Sequence, residues 1–131
     1  MNNILLDSSV IVDFLRVKKK QLTLLKKLIE TADQLCIPII GHTELFAGKS
    51  VWENTKARED LQNILFGIEI LPLDEDLSEK AGAIRAQYNI HIVDSIIAAT
   101  AIKYKLELAT LNIKDFKKVK ELKILKYPME N

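Results

Sequence analysis

Residues 3–15, with the sequence NILLDSSVIVDFL, join a short apolar run to an aspartate and then to an amphipathic pattern. The run NILL has the length of a short buried β-strand, and the pattern from Ser8 to Arg16 predicts a helix. A strand that leads into a helix is typical of βαβ units, which place functional groups at the carboxyl ends of parallel strands. Asp7 lies at this position, at the end of the first predicted strand.

The same alternation of apolar runs and helical patterns continues along the chain. Further strands are predicted at residues 35–39, 68–73, 106–110 and 123–127, and Pro38 indicates the end of its strand or an edge position. Other predicted helices cover residues 43–49, 54–66, 76–88, 94–105 and 115–122, together with a helix whose buried face would be formed by Leu22, Leu25, Leu28, Ile29 and Ala32. We therefore expect one α/β domain over residues 1–131, with a mostly parallel sheet of four or five strands and helices on both faces.

Composition excludes several classes of protein. Of the 131 residues, 48% are apolar and the formal net charge is +1, which excludes a disordered chain and a strongly polycationic nucleic-acid binder. No uninterrupted apolar run approaches the length of a membrane span, and the N-terminus has no leader-like pattern. Cys36 has no second cysteine with which to form a disulfide or a CxxC motif. These features lead us to expect a cytoplasmic protein without a membrane partner.

Four acids occupy similar places in the predicted fold. Asp7 and Glu44 follow the first two strands, Asp94 begins a helix that is apolar or small on every side, and Asp115 follows the strand at 106–110. In a parallel sheet these places lie along one edge. Each aspartate taken alone could instead be a helix N-cap, because aspartate is a favoured capping residue that also benefits from the helix dipole. Glutamate is a poor N-cap, so this explanation suits Glu44 less well.

A cluster of carboxylates is unfavourable unless something compensates its charge. Neighbouring carboxylates repel one another and raise each other's pKa, and a cation relieves that repulsion. Oxygen ligands without cysteine or a histidine pair favour Mg²⁺ or Mn²⁺ over Zn²⁺. Such an ion would let an acidic pocket accept a phosphodiester. Ser9 and Asn112 could support the cluster, or could be ordinary helix-start and turn residues. Asp13 lies almost two helical turns beyond Asp7 and is interpreted as a solvated or salt-bridging acid.

Four segments carry a resemblance to a known family. In chain order they are LLDSSVIVDFL, HTELFAGK, VDSIIAATA and ATLNIKDF. Together they resemble PIN-domain ribonucleases, in particular the VapC-like toxins of toxin-antitoxin pairs. The resemblance covers almost the whole chain, and DSIIAATA followed by TLNIKDF is its most specific part.

The resemblance implies a three-layer α/β/α fold and a metal-dependent endoribonuclease. Its metal-binding and catalytic residues would be Asp7, Glu44, Asp94 and Asp115, supported by Ser9 and Asn112. Either Asn112 or Asp115 could approach the metal more closely, and one or two Mg²⁺ or Mn²⁺ ions could bind. The implied partners are an RNA substrate, a cognate antitoxin and a second copy of the chain in a homodimer.

Lysines beside the last acid are the best placed to contact RNA. Lys114 and Lys117 flank Asp115, whereas the run Lys18 to Lys20 could contact phosphates or simply form a solvated face. The residues leave two other functions open, namely a PIN-like partner-binding module without nuclease activity and a housekeeping RNA-processing nuclease. The missing glycines argue against a P-loop site, and the serine at position 9 argues against a dehalogenase-like site.

Overall fold

A computed structural model describes residues 2–126, which form four strands and eight α-helices. The strands are β1 (Asn3–Leu6), β2 (Gln34–Pro38), β3 (Glu69–Leu71) and β4 (Glu107–Ala109). The helices are α1 (Ser8–Arg16), α2 (Leu24–Thr31), α3 (Ile39–Leu45), α4 (Lys49–Glu53), α5 (Thr55–Leu65), α6 (Glu75–Tyr88), α7 (Ile92–Lys103) and α8 (Ile113–Phe116). A short 3₁₀ helix, Lys20–Leu22, precedes α2.

The four strands form one parallel sheet in the order β3-β2-β1-β4. Strand β1 is central, and its Leu5 is level with Cys36 of β2 and Leu108 of β4. All four strands therefore have their carboxyl ends at the same edge of the sheet. The chain segments that follow β1, β2 and β4 begin at this edge and carry Asp7, Glu44 and Asp115 respectively.

Apolar side chains fill both faces of the sheet, which gives the predicted three-layer α/β/α arrangement. Ile4 and Leu6 of β1 belong to a core that includes buried residues of α1, α2 and α5. Leu5, between them, belongs to the opposite core with residues of α7 and α8. This alternation follows from the period of two along a strand. Because β1 is buried on both faces, it reads as a continuous apolar run.

Three details of the predicted helices are wrong. Helix α3 begins at Ile39 and ends at Leu45, because the extended backbone of Pro38 ends β2 and leads directly into the helix. The helix predicted at 115–122 spans only Ile113–Phe116, since successive turns follow Phe116. The buried face of α2 contains Leu24, Leu25 and Leu28. Leu22 is exposed because it precedes Thr23, the N-cap of α2, and Ile29 lies within α2 but on its exposed face.

The predicted fifth strand is reduced to a single parallel bridge between Leu108 and Ile124. Two backbone hydrogen bonds of 2.8 Å hold it, from Leu108 N–H to the Lys123 carbonyl and from Leu125 N–H to the Leu108 carbonyl. Position 127, the last of that predicted strand, lies outside the described residues. Within residues 2–126 no helix combines the length and the apolar character that a membrane crossing requires.

Candidate active site

Asp7 is held at the end of β1 by two hydroxyl groups. Its side chain is only 6% exposed, and its Oδ2 accepts hydrogen bonds from Ser9 Oγ at 2.9 Å and Thr110 Oγ1 at 2.7 Å. Its backbone N–H continues the strand pairing by donating to the Ala109 carbonyl at 3.0 Å. Among residues 2–126, no hydrogen-bond donor reaches its second carboxylate oxygen, Oδ1. The carboxylate is thus fixed in place with one oxygen available to a ligand.

Thr110 is a site residue that the sequence interpretation missed. It is buried directly after β4, where its Oγ1 donates to Asp7 and accepts from Asn112 N–H at 3.0 Å. One hydroxyl therefore joins the end of β1 to the loop that leads into α8. The available signal was a hydroxyl residue at the carboxyl end of a strand, but the sequence does not say which neighbouring strand it would face.

Glu44 and Asp94 lie on different helices and interact electrostatically with Asp7 and with each other. Glu44, on α3, accepts a hydrogen bond from Ser8 Oγ at 3.2 Å. Burial raises the pKa of Glu44, and the negative charges of Asp7 and Asp94 raise that pKa further, while Ser8 and His91 oppose the rise. Burial likewise raises the pKa of Asp94, with further contributions from Asp7 and Asp115 against a lowering by His91. The fold therefore brings three of the predicted acids into one negative region.

Asp115 lies at the margin of this group. The negative charge of Asp115 raises the pKa of Asp94. The carboxylate of Asp115 also forms an ion pair with Lys118 at 3.3 Å. Asn112 is exposed at the N-cap of α8, where its side chain makes no capping hydrogen bond. Asn112 and Asp115 are therefore both candidates for the fourth ligand.

Helix capping does not explain the three aspartates. Asp7 occupies the N-cap of α1, but its side chain bonds to Ser9 and Thr110 and not to the free N–H groups of the helix. Asp94 is the third residue of α7, whose N-cap is His91, with Nδ1 accepting from Val93 N–H at 3.2 Å. Asp115 is the third residue of α8. The alternative interpretation as N-caps is therefore wrong for Asp94 and Asp115, whereas Asp7 occupies an N-cap position without a capping hydrogen bond from its side chain.

The lysines predicted as possible RNA contacts differ in whether their ammonium groups already have partners within the protein. Lys114 and Lys117 are exposed, and neither has an ion-pair partner within residues 2–126. Lys20, in contrast, donates to carbonyl oxygens at the end of α1, including that of Val17 at 3.1 Å, and lies over the ring of Phe14. Lys20 therefore stabilises the helix end and is not available to RNA.

The acids suit a hard divalent cation by charge and donor type. Within the part of the chain that the structure describes, no three Asp, Glu, His or Cys side chains are already placed to hold a metal ion. Coordination would therefore require the carboxylates to move towards one another. The raised pKa values of Glu44 and Asp94 indicate that added positive charge would relieve their repulsion. The all-oxygen donor set fits Mg²⁺ or Mn²⁺.

Comparison with known proteins identifies the family. The family model described as PIN domain matches residues 4–122. The chain belongs to the PIN domain family. This PIN domain is 38% identical over 66 residues to the Ribonuclease VapC of Rickettsia bellii. The matched region covers 50% of this chain and about half (48%) of that relative. Ribonuclease VapC19 of Mycobacterium tuberculosis is 30% identical over 117 residues, covering 86% of this chain and 90% of the relative.

A solved structure agrees with the PIN domain assignment. The chain from the toxin-antitoxin complex of Klebsiella pneumoniae is 25% identical, with a TM-score of 0.75. The match covers 91% of this PIN domain and 94% of that chain. The predicted family resemblance and the predicted fold class are thereby confirmed.

Proposed function

We propose that this PIN domain is an endoribonuclease that hydrolyses RNA phosphodiester bonds at the carboxyl edge of its sheet, and that it is the toxin of a toxin-antitoxin pair. The observation that carries the proposal is the electrostatic interaction among Asp7, Glu44 and Asp94, whose segments lie far apart in the chain. The relatives named as VapC ribonucleases support the same chemistry. The proposal takes residues 1–131 as one domain acting in the cytoplasm.

Each residue of the site has a separate task in this proposal. Asp7, Glu44, Asp94 and Asp115 are the catalytic and metal-binding acids, with Asn112 as an alternative fourth ligand. Ser9 and Thr110 fix the orientation of Asp7, and Ser8 does the same for Glu44. The exposed ammonium groups of Lys114 and Lys117 contact RNA phosphates beside the cut.

Mg²⁺ or Mn²⁺ is the proposed cofactor. When bound, the ion would activate water and neutralise negative charge on the phosphodiester. The carboxylates of Asp7, Glu44, Asp94 and Asp115 would hold the ion, and the buried position of Asp7 limits the motion of its carboxylate. The expected products carry a 5′-phosphate and a 3′-hydroxyl.

The proposed protein partners follow from the relatives. One structural relative was solved as a toxin-antitoxin complex, so we expect a cognate antitoxin that inhibits this chain. A homodimer is the proposed oligomeric state. Size-exclusion chromatography with light scattering on the chain alone, and on the chain coexpressed with the protein encoded beside its gene, measures both expectations.

The decisive experiment maps cuts in purified total RNA with and without Mg²⁺. Wild type should cut with Mg²⁺ and should lose activity after chelation. The variant Asp94→Asn should lose cleavage under all conditions, because it removes a central acid of the cluster. A matched control is Asp76→Asn on the exposed face of α6, where the carboxylate pairs with Lys80 at 3.4 Å and with Lys103 at 3.9 Å. Cleavage that persists in Asp94→Asn or in EDTA would refute the proposed mechanism, whereas a folded wild type without any cleavage would indicate a partner-binding module.

A further inference from the structure

A small cavity lies beside α1, on the side that faces the loop after β4. Its volume is about 370 Å³, which is sufficient for a nucleobase. The cavity is lined by Asp13, Val17, Lys19, Leu22, Thr23 and Leu111. The proposed function assigns no role to any of these residues.

The cavity is connected to the proposed catalytic site by two hydrogen bonds. The backbone N–H of Leu111, in the cavity wall, donates to Ser9 Oγ at 3.1 Å, and that hydroxyl donates to Asp7 Oδ2 at 2.9 Å. Ser9 and Asp13 are four residues apart on α1, so both side chains lie on the same face of the helix. A nucleotide bound in the cavity would therefore be a near neighbour of the phosphodiester that Asp7 faces.

Asp13 is the chemically distinctive group of this cavity. Its side chain is half-buried, and among residues 2–126 its carboxylate has neither a hydrogen-bond donor nor an ion-pair partner. Of the two interpretations that the sequence allowed for Asp13, a solvated or a salt-bridging acid, the structure therefore fits the first. A carboxylate accepts two hydrogen bonds side by side. Lys19, in the same lining, adds an ammonium donor.

We propose that this cavity is a base-recognition subsite that binds guanine in single-stranded RNA next to the cut. The proposal rests on the proposed function and assigns that function a sequence preference. Guanine has an acceptor, O6, followed by two donor groups, N1–H and the N2 amine, along its Watson–Crick edge. Lys19 supplies the donor for O6, and Asp13 supplies the acceptors for the other two groups. Leu22 and Leu111, which are 67% and 38% exposed, cover the apolar faces of the ring.

The other bases match this pair of side chains less well. Adenine and cytosine each have one amine donor followed by a ring acceptor, which a carboxylate repels. Uracil has a single N–H between two carbonyl oxygens. Single-stranded RNA exposes its Watson–Crick edges to side chains, and a bidentate contact to a base contributes roughly tenfold or more to discrimination. Guanine is therefore the favoured occupant.

The test measures binding separately from cleavage. In the Asp94→Asn background, fluorescence anisotropy gives the affinity for short single-stranded RNAs that differ only by guanine, inosine or adenine at one position. We expect guanine to bind about tenfold more tightly than adenine, with inosine between them because it lacks the N2 amine. Adding Asp13→Asn should remove this preference. Lys19→Met, at an exposed side chain, should also reduce it, whereas the control Glu79→Gln on α6 should preserve it.

The outcomes separate this inference from the proposed function. Loss of the guanine preference in the folded Asp13→Asn protein, with an unchanged melting temperature, would support the subsite. Equal affinity for all three RNAs, or a preference that Asp13→Asn leaves intact, would overturn it even if the protein cleaves RNA. An Asp13→Asn variant that loses affinity only for a copurifying protein partner would also overturn it. A guanine preference in a protein that never cleaves RNA would instead refute the nuclease and leave the subsite standing.

Discussion

Thr110 determines the orientation of Asp7, so its hydroxyl should matter for both stability and activity. In Thr110→Val, Asp7 loses a 2.7 Å hydrogen bond and Asn112 N–H loses its acceptor. Because Asp7 is buried, we expect the free energy of unfolding to fall by about 1–3 kcal/mol, with a loss of RNA cleavage. Urea denaturation and the RNA assay measure the two effects.

Thr100→Val is the matched control, since Thr100 is also buried and also donates a 2.7 Å hydrogen bond. Its acceptor is the Ile96 carbonyl within α7, so the substitution leaves no carboxylate without a donor. The expected loss of stability is about 1 kcal/mol or less, with cleavage retained. Equal effects of the two substitutions would show that Thr110 has only a packing role.

The raised pKa values of Glu44 and Asp94 predict a specific pH dependence without metal. Between the ordinary carboxylate pKa and the raised one, the native protein binds more protons than the unfolded chain. Its stability should therefore fall as the pH rises through that window. Asp94→Asn removes one of these acids and should make the fall shallower. Thermal unfolding in EDTA from about pH 4 to pH 8 tests this.

Asp76→Asn serves as the control for the pH series, because Asp76 is exposed on α6, away from the acidic cluster. It should leave the shape of the wild-type pH curve unchanged. A wild-type curve no steeper than that of Asp94→Asn would contradict the repulsion inferred from the pKa shifts.

The extent to which single residues could be predicted depends on what determines their position. Asp7 follows an apolar run, so its place at the end of a strand can be predicted from the sequence alone. Thr110 acquires its role from β1 and β4 being neighbours, a pairing that joins residues 103 positions apart. The sequence around Thr110 does not indicate that β4 pairs with β1. The sequence left Asp13 open between a solvated and a salt-bridging acid for a related reason, because whether a charged partner is near depends on the tertiary fold.

At the scale of elements, α7 ends in a turn whose geometry suits glycine but whose residue is lysine. Lys105 has φ 56°, in the left-handed region. Its N–H donates to the Ile102 carbonyl at 3.2 Å, and Leu106 N–H donates to the Ala101 carbonyl at 2.9 Å, which is the Schellman pattern. The Cβ of Lys105 is therefore held in a conformation that disfavours L-residues.

Lys105→Gly should stabilise the protein by about 0.5–1 kcal/mol, because removal of this strain outweighs the larger entropy of glycine in the unfolded chain. Lys105→Ala retains a Cβ and should change stability much less, which separates strain from the loss of the lysine charge. Chemical denaturation of the three proteins gives the comparison. A destabilising glycine would show that the lysine side chain itself supports the turn.

Element type was predictable where an apolar pattern was long or bounded by clear signals. The strand at Asn3–Leu6 and the helix at Ser8–Arg16 agree with prediction to the residue. The start of α3 was missed because a proline was interpreted only as a strand ending, whereas its extended backbone also serves as the helix N-cap. The length of α8 was overestimated because the spacing of lysines that is typical of a helix continues beyond Phe116. The residues there form turns, which no local signal distinguishes from a helix.

At the scale of the whole molecule, the parallel order β3-β2-β1-β4 places the segments that carry Asp7, Glu44 and Asp115 at one edge of the sheet. The sequence predicted that these acids share one edge, since parallel strands align their carboxyl ends. It did not predict their unequal positions, with Asp7 buried between hydroxyls and Asp115 at the margin beside Lys118. Those differences arise from how α3, α7 and α8 pack, which depends on the complete fold.

The central claim is that Asp7, Glu44, Asp94 and Asp115 form one site for a divalent cation. The most direct test is the melting temperature of the metal-free protein as Mg²⁺ or Mn²⁺ is added, compared between wild type and Asp94→Asn. An ion that binds only the native state must raise the melting temperature with concentration. We predict such a rise in wild type and its loss in Asp94→Asn, with Asp76→Asn behaving as wild type. No rise in wild type, or an equal rise in Asp94→Asn, would contradict the claim.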